Sequence, residues 1–267
     1  MARGRSRNIR LPAPYLRRVW LDRSRVEDWE AYPFCLPFFR DEFELSFDTA
    51  ITIIVGENGT GKSTILEGVA ALAGFANAGG GKGYRLLEHA EGYEVTGEEL
   101  ARALRGSWVP KISNGWFFRA ETFFSIARYL DRAAVEAQVL LEEAGGEATP
   151  QLRPDFLSFS HGEGFLLLFE ERCQQQGLFI FDEPESALSP SRQMQFLKLL
   201  QRMDRAGNCQ VIMATHAPML MAYPNARLLH LSKYGLEPIA IEQTDHFRVM
   251  REFCDDPRGF VEATLME

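Results

Sequence analysis

The chain has 267 residues, of which 46% are hydrophobic and 25% are charged, proportions typical of a globular protein able to bury a sizeable core. Its apolar runs, such as 165–169, are far shorter than the roughly 20 residues that a helix needs to cross a bilayer. No apolar stretch follows the N-terminal arginines, so we expect no signal peptide and a cytoplasmic location. The four cysteines are widely spaced, which predicts neither a disulfide framework nor a zinc site.

The net charge of −8 is unevenly distributed. Residues 1–25 carry eight arginines and one acid, giving +7, so the remainder carries −15. An acidic body is a poor non-specific partner for nucleic acid, because phosphate binding needs clustered positive charge. We predict a basic arm over residues 1–25, which contacts phosphates, packs on the acidic body or is simply solvated.

Predicted strands and helices alternate along the chain. An alternating pattern predicts a half-exposed strand over 43–47, and apolar runs predict buried strands over 51–55, 116–119, 178–181 and 210–214. Helical spacing predicts helices over 63–74, 97–104, 123–143, 164–176 and 191–205. We expect Gly177 to end the fourth helix and Ser189-Pro190 to begin the fifth, and we expect a terminal hairpin over 228–231 and 238–241.

This order of elements predicts one α/β domain over residues 1–267, with a mostly parallel central sheet and helices on both faces. Residues from about 75 to 155, which include a glycine-rich loop at 79–83, are expected to form a more helical lobe.

The first motif lies between a predicted buried strand and a predicted helix. The segment matches the G-x-x-x-x-G-K-[ST] phosphate loop at every fixed position, in the order Gly56, Glu57, Asn58, Gly59, Thr60, Gly61, Lys62, Ser63, with Thr64 following. Glycines let backbone N–H groups turn towards phosphate oxygens, and the following helix presents its positive end. We expect Lys62 to contact the β- and γ-phosphates of a nucleotide and the Ser63 hydroxyl to bind Mg²⁺.

The second motif is the apolar strand 178–181 followed by Asp182 and Glu183. Strand ends of this kind meet ligands at the carboxyl edge of a parallel sheet. We predict that Asp182 binds Mg²⁺ and that Glu183 orients the water that attacks the γ-phosphate.

Two further segments have both a functional and an ordinary structural interpretation. Ser160-His161-Gly162-Glu163 begins a predicted helix, and it is either a second anion-binding turn, serving a neighbour's nucleotide, or an ordinary helix cap. His216 follows the strand 210–214, and it either reaches a γ-phosphate or packs as a capping residue.

Taken in order, these motifs resemble the ABC-type ATPase superfamily over residues of about 43 to 235. The resemblance implies a P-loop NTPase fold with N-terminal antiparallel strands, ATP and Mg²⁺ as ligands, and a homodimer that encloses two ATP molecules. In such a dimer the signature residues Ser160, Gly162 and Glu163 act on the partner's ATP. The loop Ala187-Leu188-Ser189 crosses the dimer interface, and His216 is the switch histidine.

Two departures qualify this resemblance. Ser189 stands where the interface loop usually ends in aspartate, and the usual Mg²⁺-sensing glutamine is missing, with Glu121 nearest to its place. The aromatic that stacks on adenine is expected upstream of the loop, where four candidates occur: Tyr32, Phe34, Phe38 and Phe39.

The chain is most similar to RecF/SMC-like ATPases, in particular the short stand-alone bacterial ones that share Arg119-Ala120-Glu121 and an SHGE signature. It lacks the long heptad insertion of SMC proteins, so action on DNA would need partner proteins. Three functions are compatible: a dimerising ATPase switch or clamp in nucleic-acid maintenance or defence, the energising subunit of a membrane transporter, and a nucleotide-gated interaction module with negligible turnover.

Overall fold

The computed structural model of the chain describes residues 11–76, 79–82, 96–122 and 161–266, together with eight scattered residues between 128 and 143. Within these ranges, six strands form the main sheet in the order β5-β6-β7-β3-β8-β9, in which only β9 runs antiparallel to its neighbour. The strands, numbered along the chain, are β3 (Ile51–Val55), β5 (Gly115–Arg119), β6 (Gly177–Asp182), β7 (Cys209–Ala214), β8 (Ala226–Ser232) and β9 (Gly235–Pro238). The predicted α/β fold with a mostly parallel sheet is therefore confirmed.

A second, antiparallel sheet of three described strands lies beside the main one, as the resemblance implied. It has the order β2-β1-β4, formed by β1 (Leu16–Leu21), β2 (Glu44–Ser46) and β4 (Leu104–Trp108). Within the predicted basic arm, β1 packs on the body of the protein: Leu16, Val19 and Leu21 are buried, while Arg17 and Arg18 face solvent. Residues 1–10 lie outside the described ranges.

The main sheet is covered on both faces by helices. The described α-helices are α1 (Pro37–Arg40), α2 (Lys62–Ala73), α3 (Thr96–Ala103), α4 (His161–Arg172), α5 (Pro190–Ala206), α6 (Pro218–Met221), α7 (Asp245–Asp255) and α8 (Pro257–Met266). Short 3₁₀ turns span Arg23–Arg25, Pro184–Ala187 and Ile241–Gln243. One apolar cluster joins the sheet to α4 and α5, and a second joins its opposite face to α2, α3 and the small sheet.

Two predicted boundaries are wrong. The fourth helix ends at Arg172, and Gly177 is the first residue of β6, where it pairs with Cys209 as an extended strand residue. The second hairpin strand is β9 and not 238–241, because Ser232 already pairs with Gly235 across a tight turn.

The remaining predicted elements are one confirmed helix, the glycine-rich loop and elements outside the described residues. The helix predicted over 191–205 is confirmed as α5, with Ser189 as its N-cap and the left-handed Gly207 at its end. Within the predicted glycine-rich loop, Gly80 forms two backbone hydrogen bonds with Phe117 of β5. The helix predicted over 123–143 and most of the lobe lie outside the described residues. None of the described helices has the length and apolar character needed to span a membrane.

Candidate functional site

The P-loop, residues 56–64, connects β3 to α2 at the carboxyl edge of the main sheet. Its three glycines have positive φ angles, 155° at Gly56, 76° at Gly59 and 97° at Gly61. A Cβ atom at Gly56 would lie 2.7 Å from the carbonyl oxygen of Leu231, so a side chain there would need a backbone shift. The loop thus has the left-handed turns and the close approach that only glycine permits.

Lys62 points back into this loop. It is almost completely buried, and its Nζ donates hydrogen bonds of 2.9 Å to the carbonyl oxygens of Gly56 and Glu57. Burial lowers the pKa of Lys62, while the carboxylates of Glu183 and Asp182 act in the opposite direction. A lysine held in this way is suited to transferring its hydrogen bonds to phosphate oxygens.

Ser63 and Asp182 meet across the sheet edge, as the paired motifs predict. The Ser63 hydroxyl donates to Asp182 Oδ1 at 3.0 Å, and Asp182 is 7% exposed. Burial raises the pKa of Asp182 to about 6, although Arg119 and the Ser63 hydrogen bond lower it. The described residues contain no cluster of three or more metal-ligating side chains. This hydroxyl–carboxylate pair therefore fits Mg²⁺ that takes its other oxygen ligands from phosphates and water.

Glu183 is held in a strained backbone conformation. With φ 48° and ψ 55°, it is the only non-glycine residue of the described chain with a positive φ angle. Its N–H donates to the carbonyl oxygen of Ala214 at 3.0 Å, which fixes it between β6 and β7. Strain of this kind often occurs at functional sites, and the Glu183 side chain, 41% exposed, faces solvent beside Lys62.

His216 lies opposite Glu183, with Nε2 3.5 Å from Glu183 Oε1. Its backbone N–H donates to Oε1 of the half-buried Glu185, whose pKa is raised by desolvation. Burial and the nearby Lys62 lower the pKa of His216. Its other ring nitrogen, Nδ1, lies 2.8 Å from His246 Nε2. The structure thus brings together the residues predicted from the phosphate loop, the carboxylate pair and the histidine.

A buried arginine beside Asp182 was not predicted. Arg119 pairs with Asp182 in the register of β5 and β6, and its guanidinium lies 3.6 Å from Asp182 Oδ2 and 3.0 Å from Glu67 Oε1. All three side chains are no more than 12% exposed. The sequence placed Arg119 at the end of a strand, which was a usable signal, but gave no indication that Glu67 of α2 would reach it.

Glu121 contacts the arginine that also pairs with Asp182. Its side chain is 75% exposed and forms a 3.5 Å ion pair with Arg119. Its assignment as a metal ligand stays a prediction.

The signature segment is described only in part. Ser160 lies outside the described residues, whereas His161 begins α4 and Gly162 and Glu163 follow in its first turn. Glu163 forms an ion pair with Arg192, and a Cβ atom on Gly162 would lie 3.1 Å from the carbonyl oxygen of Ala187. Gly162 of the signature therefore packs on the loop Ala187-Leu188-Ser189, the other segment expected at a dimer interface.

The four aromatic candidates for adenine stacking differ in exposure. Phe34, Phe38 and Phe39 are at most 7% exposed, and Phe38 lies directly beneath Gly61 of the P-loop. Tyr32 is 45% exposed, and its hydroxyl contacts the hydroxyl of Thr64. Tyr32 is thus the candidate with a free ring surface near the loop.

Two family models match the chain. Residues 34–99 match an "AAA domain", and residues 164–222 match "AAA domain, putative AbiEii toxin, Type IV TA system". No curated protein sequence matches. The chain is similar to the solved structure of a "putative metal-chelate type ABC transporter", with 18% identity over 89% of this chain and 88% of that one and a TM-score of 0.45. It is also similar to the SMC head domain from Thermotoga maritima, with 17% identity over 85% of this chain and all of that one and a TM-score of 0.46.

One matched segment contains the P-loop, and the other contains Asp182, Glu183 and His216. The mostly parallel sheet brings both segments to the same edge. The matched segments and the observed fold therefore agree: the chain has a P-loop α/β fold and is similar to AAA domains over these two segments.

Proposed function

We propose that this chain binds ATP with Mg²⁺ and hydrolyses it, and that two copies close around two ATP molecules as a switch or clamp in the cytoplasm. The observation that carries the proposal is the arrangement of Ser63, Asp182 and Glu183. A Mg²⁺-competent oxygen pair and an exposed carboxylate on a strained backbone lie side by side at the end of β6.

Each side chain has a distinct role in this proposal. Lys62 and the P-loop N–H groups bind the phosphates, and Ser63 and Asp182 hold Mg²⁺, which neutralises charge on the transferred phosphoryl group. Glu183 orients and polarises the attacking water, and His216 presents Nε2 to the γ-phosphate. The half-buried Glu185, by accepting the His216 N–H, keeps that histidine at the end of β7.

The dimer is supported by the contact between the signature and the interface loop. Gly162 and Glu163 pack on the segment from Ala187 to Arg192, so the two segments expected to meet a partner's ATP move as one unit. Ser160 completes the signature in this proposal.

A role in nucleic-acid maintenance or defence is favoured over transport. The description of the family model that matches residues 164–222 names a putative AbiEii toxin and a type IV TA system. The transporter's usual glutamine is missing, and Glu121, the residue nearest to its place, forms an ion pair with Arg119. Nucleic acid or a nucleic-acid-processing protein is the proposed partner. A transporter subunit would instead co-purify with a membrane protein, and an interaction module would show negligible turnover.

The test is the solution mass of Glu183→Gln with and without Mg·ATP, combined with phosphate release by the unchanged chain. Without its water-orienting carboxylate, the variant is expected to hold ATP unhydrolysed and to double in mass only when ATP is present. Adding Ser160→Arg should abolish the doubling but leave ATP bound, whereas adding Lys62→Ala should abolish both.

A variant that binds ATP and stays monomeric would contradict the sandwich dimer, and unchanged phosphate release in Glu183→Gln would contradict the role of Glu183. Duplex DNA added to the unchanged chain separates the functional classes, because stimulated turnover is expected only of the nucleic-acid role.

A further inference from the structure

A contact between two histidines at the edge of the site has no part in the function described so far. His216 Nδ1 and His246 Nε2 are 2.8 Å apart, with the two rings tilted by 50° and their centroids 5.0 Å apart. His246 belongs to α7, which lies outside the recognised motifs. The second ring nitrogen of His216, Nε2, faces the Glu183 carboxylate at 3.5 Å.

The 2.8 Å contact holds a single proton, because a hydrogen bond between two imidazole nitrogens needs one donor and one acceptor. If His216 donates from Nδ1, its Nε2 carries a lone pair that faces the oxygen of Glu183, and the second contact is repulsive. If His246 donates from Nε2, then His216 accepts at Nδ1 and carries its own proton on Nε2. Only the second arrangement makes both contacts of a neutral His216 favourable.

A doubly protonated His216 would also satisfy Glu183, but the surroundings oppose it. Burial is the main cause that lowers the pKa of His216, and Lys62 and His246 add to it. Glu183 and Glu57 act in the other direction, and Glu185 is already engaged by the His216 backbone N–H. The neutral ring with one proton is therefore the form to consider.

His246 is held where α7 is attached to the body of the protein. The buried Thr244 is the N-cap of α7, accepting from the Phe247 N–H at 3.3 Å and donating to the Ile241 carbonyl oxygen at 2.7 Å. No side chain of α7 itself is buried, so this cap and the contact with His216 define the position of its first turn.

We propose that His246 is a positioning residue that keeps the proton of His216 on Nε2, so that His216 presents an N–H donor to the γ-phosphate of ATP. The inference rests on the proposed function, since it extends the part assigned to His216. It also links α7 to the catalytic edge of the sheet through one hydrogen bond.

The tautomer can be measured on the full chain without ATP. Two-bond ¹H–¹⁵N spectra of histidine-labelled protein report which ring nitrogen carries the proton, and the chain has only five histidines. We expect His216 to be protonated at Nε2, and His246→Leu to shift it towards a mixture of tautomers. His246→Gln keeps an N–H donor and should restore the spectrum, whereas His230→Gln, a change on β8, should leave His216 unaltered.

Turnover supplies the second measurement. We expect kcat of His246→Leu to fall on the order of 10-fold with KM nearly unchanged, and His246→Gln to recover most of the loss. A His216 protonated at Nδ1 in the unchanged chain would overturn the inference, as would a His246→Leu variant with unaltered spectrum and kcat. A chain with the expected spectra but no ATP turnover would support the tautomer assignment and contradict the ATPase proposal, so the two failures are distinguishable.

Discussion

Replacing Arg119 with glutamine removes the cation that pairs with both Glu67 and Asp182, and we expect it to destabilise the protein strongly. Glu67 and Asp182 are 12% and 7% exposed, so the variant leaves two charges facing each other with little solvent. Removing one partner of a buried ion pair costs about 3–5 kcal/mol. Asp182 can relieve part of this by taking up a proton, so we expect a loss of about 3 kcal/mol at pH 7.

The pH dependence of the loss follows from Asp182. Its pKa in the folded protein is already raised from 3.8 to about 6, and the loss of Arg119 raises it further. The folded variant then binds more protons than the unfolded chain above pH 3.8, so its free energy of unfolding falls as pH rises through that range. The difference in the free energy of unfolding between the variant and the unchanged chain should therefore be larger at pH 7.5 than at pH 5.

Urea unfolding at both pH values measures this effect. Arg202→Gln is the matched control, because Arg202 and Glu170 form a 2.7 Å ion pair while remaining 57% and 51% exposed, and its loss should stay below about 0.5 kcal/mol. Glu121→Gln, which alters the exposed partner of the same arginine, should also change little. If Arg119→Gln lowered the free energy of unfolding at pH 7.5 by no more than either control, Arg119 would not be a required counter-ion.

Three further changes test the fold around the site. Gly61→Ala should destabilise by about 1–2 kcal/mol more than Gly59→Ala in urea unfolding: both glycines have left-handed φ angles, but only at Gly61 would the Cβ atom meet side chains at 3.1 Å. Gln210→Leu should lower the free energy of unfolding by roughly 3 kcal/mol, because the buried Gln210 amide makes three hydrogen bonds of 2.8–2.9 Å to the backbone of Tyr15 and Leu16. The control Gln201→Leu, on the exposed face of α5, should leave the free energy of unfolding almost unchanged. Equal losses in the two variants would contradict this prediction. Burial raises the pKa of Tyr15 from 10.0 to about 12, so its contribution to stability is complete below pH 10 and is lost between pH 10 and 12; Tyr15→Phe should flatten this part of the pH profile.

The sequence predicts well which residues meet at the candidate site, because the signals for them are local. The P-loop has a fixed spacing, and Asp182, Glu183 and His216 each follow a continuous apolar strand. In a parallel sheet such strand ends meet at one edge, so the correct assignment of strands was sufficient to bring these residues together.

The features that the sequence did not predict depend on contacts between distant residues. Strand β1 was not predicted, because its arginines were assigned to a basic arm. Leu16, Val19 and Leu21 nevertheless approach the alternation of a half-buried strand, which is interrupted where two exposed residues follow Leu16. The hydrogen bonds that fix β1 come from Gln210, which is 194 residues away along the chain. The glutamine lies within an apolar strand, and nothing local indicates its partner.

The residues of the candidate site therefore differ in how strongly the surrounding structure fixes them. Lys62, Asp182 and the backbone of Glu183 are fixed by completely buried strands and by the P-loop, whereas His246 lies on α7, which has no buried side chain. Segments with few buried contacts open at lower free energy than the core does. The hydrogen bond between His216 and His246 can thus break while the strands of the main sheet stay in place. A partner that moved α7 would alter the proton position of His216 while leaving the P-loop and the carboxylate pair in place.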